Sequence, residues 1–182
     1  MKRSFDSRVD YSLLLPVFCL LVIGVVAIYI AVSHDYPNNV LPILGQQIAW
    51  ISLGLVIGFV VMFFNTEFLW KVTPYLYGLG LALMILPLVF YNPNLVASTG
   101  AKNWVSIGGT TLFQPSEFMK ISYILMLARA IVRFTQKHKE WRRTIPLDFL
   151  LIGWMIAFTI PVLILLALQS DLGTALVFVA IF

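Results

Sequence analysis

Glu117 and Lys120 stand at the head of Phe118–Phe134, a stretch otherwise apolar enough for a membrane helix. A spacing of three puts both on one helix face. Pro115 suits the first helical position, which makes Gln114 the N-cap and Glu117 the third residue. The helix dipole favours an acid there by about 0.3–1 kcal/mol. That accounts for Glu117 but not for Lys120, whose charge has the wrong sign for a helix start. Pairing lowers the cost of two charges at that depth, yet two leucines would avoid it entirely. The pair therefore predicts a polar hollow or a bound polar group. Gln169, Ser170 and Asp171 form a second polar place, separating two apolar blocks with almost no loop. Asp171 could cap the following helix, with Gly173 allowing close packing, or meet a hydroxyl of a ligand. An anionic head group could sit by Lys120. Gln46 and Gln47 are weaker members of the same expected patch.

The elements that must carry these residues are read from composition. The chain has 182 residues, 60% hydrophobic and 11% charged. Soluble domains are about 45–50% apolar and ~25% charged, so this is an integral membrane protein. The apolar blocks Leu13–Val32, Leu44–Phe64, Val72–Phe90, Phe118–Phe134 and Leu147–Leu168 each approach the ~20 residues of a spanning helix. None alternates as a barrel strand would. A sixth block, Leu172–Phe182, is about half a bilayer long at 1.5 Å per residue. The expectation is an all-α polytopic membrane protein with five complete spans and a sixth cut short. Pro87 and Pro161 predict kinks within spans, Pro74 sits in an expected first turn, and Gly54 and Gly58 have a helix-packing spacing.

Lys2, Arg3, Arg8, Lys71, Arg129, Arg133, Lys137, Lys139, Arg142 and Arg143 are ten of the twelve Lys and Arg. All ten fall on one side if the N-terminus is cytoplasmic. The net charge of +4 thus reports topology and anionic lipid, and nucleic acid is excluded as a partner. Cys19 is alone, which rules out a disulfide framework and leaves a packing role. His34 and His138 fall on opposite sides, so no metal site is indicated. No phosphate-binding loop or nucleophile elbow is present.

The connection 91–117 lies on the outer side and is long and internally patterned. Trp104–Ile107 and Thr110–Phe113 flank Gly108-Gly109, the pattern of a two-residue hairpin. Trp104, Ile107, Leu112 and Phe113 offer an apolar edge to the membrane interface.

GAKNWVSIGG (100–109), FQPSEFMKI (113–121) and QSDLGTALVF (169–178), in that order, resemble the SEDS family of cell-wall proteins, the RodA, FtsW and SpoVE group. Within it the chain looks most like the RodA branch of Gram-positive bacteria. The resemblance implies about ten spans in the whole protein. It implies a peptidoglycan glycosyltransferase that polymerises lipid II, releases undecaprenyl diphosphate, and works with a class B penicillin-binding protein and other elongation-machinery membrane proteins. A lipid II flippase and a non-catalytic scaffold are the alternative functions. By motif position, Glu117 and Lys120 match the family's polar pair, Asp171 its acidic residue before Leu-Gly, and Trp104 its tryptophan. Gln114 and Lys102 complete the substrate-binding candidates. Two positions depart. Asn103 stands where the family often has arginine, which passes any cationic role to Lys102. Ser170 stands where proline is usual, which loosens the turn. The general base is implied to be an aspartate beyond Phe182, so these residues alone should be inactive. The diphosphate would be stabilised by Lys120 or by a divalent cation such as Mg or Mn.

Overall fold

The computed structural model describes residues 11–35, 37–108, 110–137 and 145–182. His138 and the basic residues at 2, 3, 8, 139, 142 and 143 lie outside these. The elements in chain order are α1 (Tyr11–Asp35), a 3-10 turn (Pro37–Asn39), α2 (Val40–Val61), α3 (Thr66–Val89), α4 (Pro93–Thr99), β1 (Val105–Ile107), β2 (Thr110–Phe113), α5 (Pro115–Lys137), α6 (Ile145–Leu168) and α7 (Leu172–Ile181). The protein is thus all-α in its membrane part, as its composition requires.

Among the described residues, four helices are long and apolar enough to cross a bilayer: Ser12–Asp35, Pro37–Val61, Thr66–Val89 and Asp148–Leu168. The expected fourth span, in α5, differs. Its 23 residues reach about 34 Å at 1.5 Å per residue. Length is not what separates it from the others; charge is. Glu117 and Lys120 lie near its start, and Arg129, Arg133 and Lys137 near its end. The long helices also outrun their apolar blocks. Pro74 is consequently inside α3 rather than in its first turn, and Lys71 belongs to the helix too.

Two units divide the chain, Met1–Thr66 and Glu67–Phe182. In the first, α1 and α2 form a helical hairpin with an apolar cavity of about 540 Å³ between them, walled by Phe18, Val25 and Leu55 among others. A Cβ added at Gly54 or Gly58 would meet nothing within 4 Å. The small-residue spacing there serves no close contact among the described residues. Cys19 is exposed rather than packed.

The second unit is a bundle of α3, α5, α6 and α7. Its buried centre comprises Tyr77 and Met84 of α3, Met119, Tyr123 and Leu127 of α5, Val162 and Leu166 of α6, and Phe178 of α7. The α5 members recur every four residues, which is one helical face. Within lipid the hydrophobic effect does not drive helices together, so close packing and cross-helix hydrogen bonds must. Both are present. Gly80 lets α5 approach α3 so closely that a Cβ there would lie 2.5 Å from Met119 Sδ and 3.0 Å from Ser122 Oγ. Tyr123 Oη and Thr159 Oγ1 share a hydrogen bond of 2.7 Å. Two further bonds end in the turn before a proline. Tyr77 Oη donates to the Phe158 carbonyl at 2.6 Å, three residues before Pro161. Gln169 Nε2 donates to the Met84 carbonyl at 2.6 Å, three residues before Pro87. A proline removes the N–H that would bond the carbonyl four residues back, here Ala157 or Leu83, and loosens the turn in which these two acceptors lie.

Candidate functional site

At one end of this bundle α3 finishes, α5 begins, and α6 turns into α7. The connection 90–114 closes over that end. Its first part folds into α4, which the hairpin pattern did not anticipate. Asn92 caps α4 by accepting from the Asn94 N–H, Pro93 opens it, and Gly100 ends it at φ 75°. The hairpin forms as expected. β1 and β2 pair antiparallel, with Val105 opposite Phe113 and a bulge between Val105 and Ser106. Gly108 supplies the positive φ of the turn, 61°. Val105 and Ser106 are buried, whereas Ile107, Leu112, Phe113 and Trp104 are exposed, so the apolar edge is real. The Ser106 N–H donates to the Phe90 carbonyl at 2.9 Å and pins the hairpin to the end of α3.

The α6–α7 corner explains why so short a turn is possible. The Asp171 N–H reaches back to the Leu166 carbonyl and the Ser170 N–H to the Ala167 carbonyl, both at 3.0 Å. Those are the two bonds of a Schellman motif. The donor of the second, the residue just past the helix, must be left-handed, and Ser170 has φ 59°. Glycine is the usual occupant, and a proline, fixed near −65°, could not adopt it. The Gln169 carbonyl is bonded from outside the corner. The Lys102 N–H takes it at 2.8 Å.

Asp171 then starts the next helix. Its Oδ1 accepts from the Thr174 N–H at 3.0 Å and its Oδ2 from Thr174 Oγ1 at 2.8 Å. The same Oδ2 accepts from Asn103 Nδ2 at 2.7 Å and from Gln114 Nε2 at 3.3 Å. Asp171 is thus both the cap and the knot joining the connection, the head of α5 and the α6–α7 corner. Burial alone would raise its pKa. The bonds from the Thr174 N–H, Asn103, the Thr174 hydroxyl and Gln114 outweigh that and hold it below the ordinary 3.8.

Glu117 and Lys120 make the expected pair, with Lys120 Nζ 2.8 Å from the Glu117 carboxylate. Lys120 is 27% exposed and Glu117 61%. Gln114, bonded to Asp171, immediately precedes the turn that carries them. The pair and the knot therefore share one end of α5, but separate hydrogen bonds satisfy them. Gln114 caps by position only: its carbonyl accepts from the Glu117 N–H at 3.1 Å, and its amide goes to Asp171. Lys102 does not take over a cationic role at the knot. Its ammonium lies over the Tyr91 ring, 4.6 Å from the centroid.

Asn103 is the residue that sequence reasoning missed. Read as the loss of an arginine, it donates the shortest of the bonds to Asp171. The signal was its place one residue before Trp104, in the motif whose partner motif holds Asp171. Two buried polar atoms nearby have no hydrogen-bond partner, Asn103 Oδ1 and Ser116 Oγ. Each could take a hydroxyl or water. Gly173 has room, since a Cβ there meets only Asp171 Oδ1, at 3.9 Å.

These residues do not fit a divalent ion. The donors around Asp171 occupy its lone pairs, and Glu117 is turned to a lysine. No group of three or more His, Cys, Asp or Glu that could hold a metal occurs among the described residues.

Known proteins resemble this chain in sequence and in fold. The family model FtsW/RodA/SpoVE, described as cell cycle protein, matches residues 11–182. The chain belongs to this family, and it is a multi-pass membrane protein of a bacterium. It is 30% identical over 176 residues to the peptidoglycan glycosyltransferase RodA of Treponema pallidum, covering 97% of this chain and 37% of that protein. It is 29% identical to the peptidoglycan glycosyltransferase MrdB of Escherichia coli K12, covering 96% and 43%. A probable peptidoglycan glycosyltransferase FtsW of Nitrosomonas europaea matches at 27%, covering 98% and 45%. A chain of a solved peptidoglycan synthase complex superposes with TM-score 0.64 at 29% identity, over 93% of this chain and 44% of that one. The chain thus spans less than half the length of these relatives. RodA and FtsW relatives match almost equally, so features common to the family carry the similarity.

Proposed function

We propose that the whole protein is a peptidoglycan glycosyltransferase that polymerises lipid II at the outer face of the plasma membrane during cell elongation. The observation that carries this reading is the knot at Asp171. It holds a patterned connection over the end of a membrane bundle, one turn from an intramembrane acid–base pair, in a chain whose relatives are named for that activity. The distribution of Lys and Arg supports a cytoplasmic N-terminus, which puts the knot at the outer leaflet.

In the reaction, the 4-hydroxyl of one sugar attacks the anomeric carbon of another. A new glycosidic C–O bond forms as the bond to the diphosphate breaks, and undecaprenyl diphosphate leaves with the electron pair. The hydroxyl proton passes to a carboxylate. Asp171 is badly suited to accept it, because four donors already stabilise its charged form. The acceptor is proposed to be an aspartate outside residues 1–182. Lys120, aimed by Glu117 and partly exposed, is proposed to bind a diphosphate oxygen. Asn103 Oδ1 and Ser116 Oγ are free to bind sugar hydroxyls. The likeness to a peptidoglycan synthase complex supports a class B penicillin-binding protein as partner.

The test is polymerisation by purified full-length protein given labelled lipid II and no second polymerase. Glycan strands support the reading. Transbilayer movement of lipid II without strands contradicts it.

A further inference from the structure

The opposite end of α5 holds a second polar place that the reaction does not use. A cavity of about 310 Å³ opens between α5 and α6, lined by Arg129, Arg133 and Lys137 on one side and by Leu150, Trp154 and Phe158 on the other. We infer that it binds the phosphate head group of an anionic phospholipid, with an acyl chain along the α6 wall.

The three cations follow one another at four-residue steps, so they share a face and repel one another. Among the described residues none has a carboxylate partner. Arg129 is the most telling. It is only 8% exposed, so its side chain has not reached water by extending toward the interface. Its guanidinium lies over the Trp70 ring at 5.3 Å, and its Nη1 has no hydrogen-bond partner. A buried, unpaired cationic donor is costly at membrane depth. A phosphodiester supplies what is missing: one negative charge, and two acceptor oxygens that match the guanidinium fork. The facing wall decides between a lipid and a free anion. Leu150 and Phe158 offer no donors to a soluble phosphate and Trp154 only its indole N–H, whereas the three together suit a hydrocarbon chain, with tryptophan of the interfacial type. Basic pockets between membrane helices favour such head groups. Only the choice of leaflet, the cytoplasmic one, rests on the orientation proposed above.

The test uses full-length protein in mild detergent, titrated with phosphatidylglycerol or phosphatidylcholine of the same chains and read by native mass spectrometry. Phosphatidylglycerol should be retained at concentrations at least tenfold lower. Arg133→Gln with Lys137→Gln, both at exposed positions, should weaken its retention at least fivefold without unfolding the bundle. Arg129→Gln should weaken it further. Equal retention of the two lipids, or no change in the double variant, overturns the assignment. So does displacement by millimolar inorganic phosphate, which would mark a free-anion site. Displacement by undecaprenyl diphosphate overturns it too, by giving the cavity to the substrate. Because the readout is bound lipid, failure of lipid II polymerisation leaves this inference standing.

Discussion

Removing the Asn103–Asp171 bond tests whether the knot is an energetic unit. Asn103 donates to a charged acceptor at 2.7 Å, and bonds to charged groups contribute about 1.5–3 kcal/mol. Asn103→Ala should therefore cost about 2 kcal/mol on that scale. Asp171→Ala loses the same bond, the cap of α7 at about 1 kcal/mol, and the longer bond from Gln114, for a total near 4 kcal/mol. In the double variant the shared bond is counted once, so the total should fall short of the sum by about 2 kcal/mol. The assay is reversible unfolding of the full-length protein in mixed micelles, for both single variants and the double. Additivity within about 0.5 kcal/mol would refute the reasoning, because residues 68 apart in sequence would then be neighbours without being coupled.

The remaining expectations concern the elements around the knot. The Asp171 carboxyl is held below 3.8, so its stabilisation is complete above that value and is lost as pH falls through the lower folded value. Acid unfolding of the wild type should steepen below about pH 4, and Asp171→Asn should flatten that part of the profile. Gly80→Ala should destabilise the bundle by about 1–3 kcal/mol, because Met119 and Ser122 are fully enclosed against it. Gly54→Ala and Gly58→Ala should instead be neutral or stabilising by up to about 1 kcal/mol, as measured by thermal melts. Ser170→Gly should stabilise by up to about 1 kcal/mol by relieving the left-handed conformation, whereas Ser170→Pro should cost at least about 3 kcal/mol.

Four of the five expected spans were legible because their signal is local: runs of apolar residues, whatever they touch. The hairpin was legible for the same reason, from Gly108-Gly109 between two apolar-rich runs. The Glu117–Lys120 pair needed only the i,i+3 rule. Some local signals went unread, such as Asn92-Pro93 before and Gly100 after α4, which are a cap, a first-turn proline and a left-handed stop. The knot was a different matter. Asp171 was visible as a cap, but its tie to Asn103 joins residues 68 apart, and no periodicity reports such a pairing. Gln169 is a similar case. In sequence it is a polar turn residue, yet it is buried with its amide on the Met84 carbonyl, 85 residues away. Charge misled at Lys102, where the Tyr91 ring takes the ammonium instead of the knot. The glycines of α2 misled because spacing alone does not say which helix, if any, lies opposite.

Lys120 tests the central claim most directly. An ion pair this exposed contributes about 0.2–1 kcal/mol, so Lys120→Gln should leave the melting of the full-length protein nearly unchanged. If the ammonium grips the diphosphate, the same variant should polymerise labelled lipid II at least tenfold more slowly, with Lys120→Arg partly restoring the rate. A wild-type rate from Lys120→Gln in a normally folded protein would contradict the account.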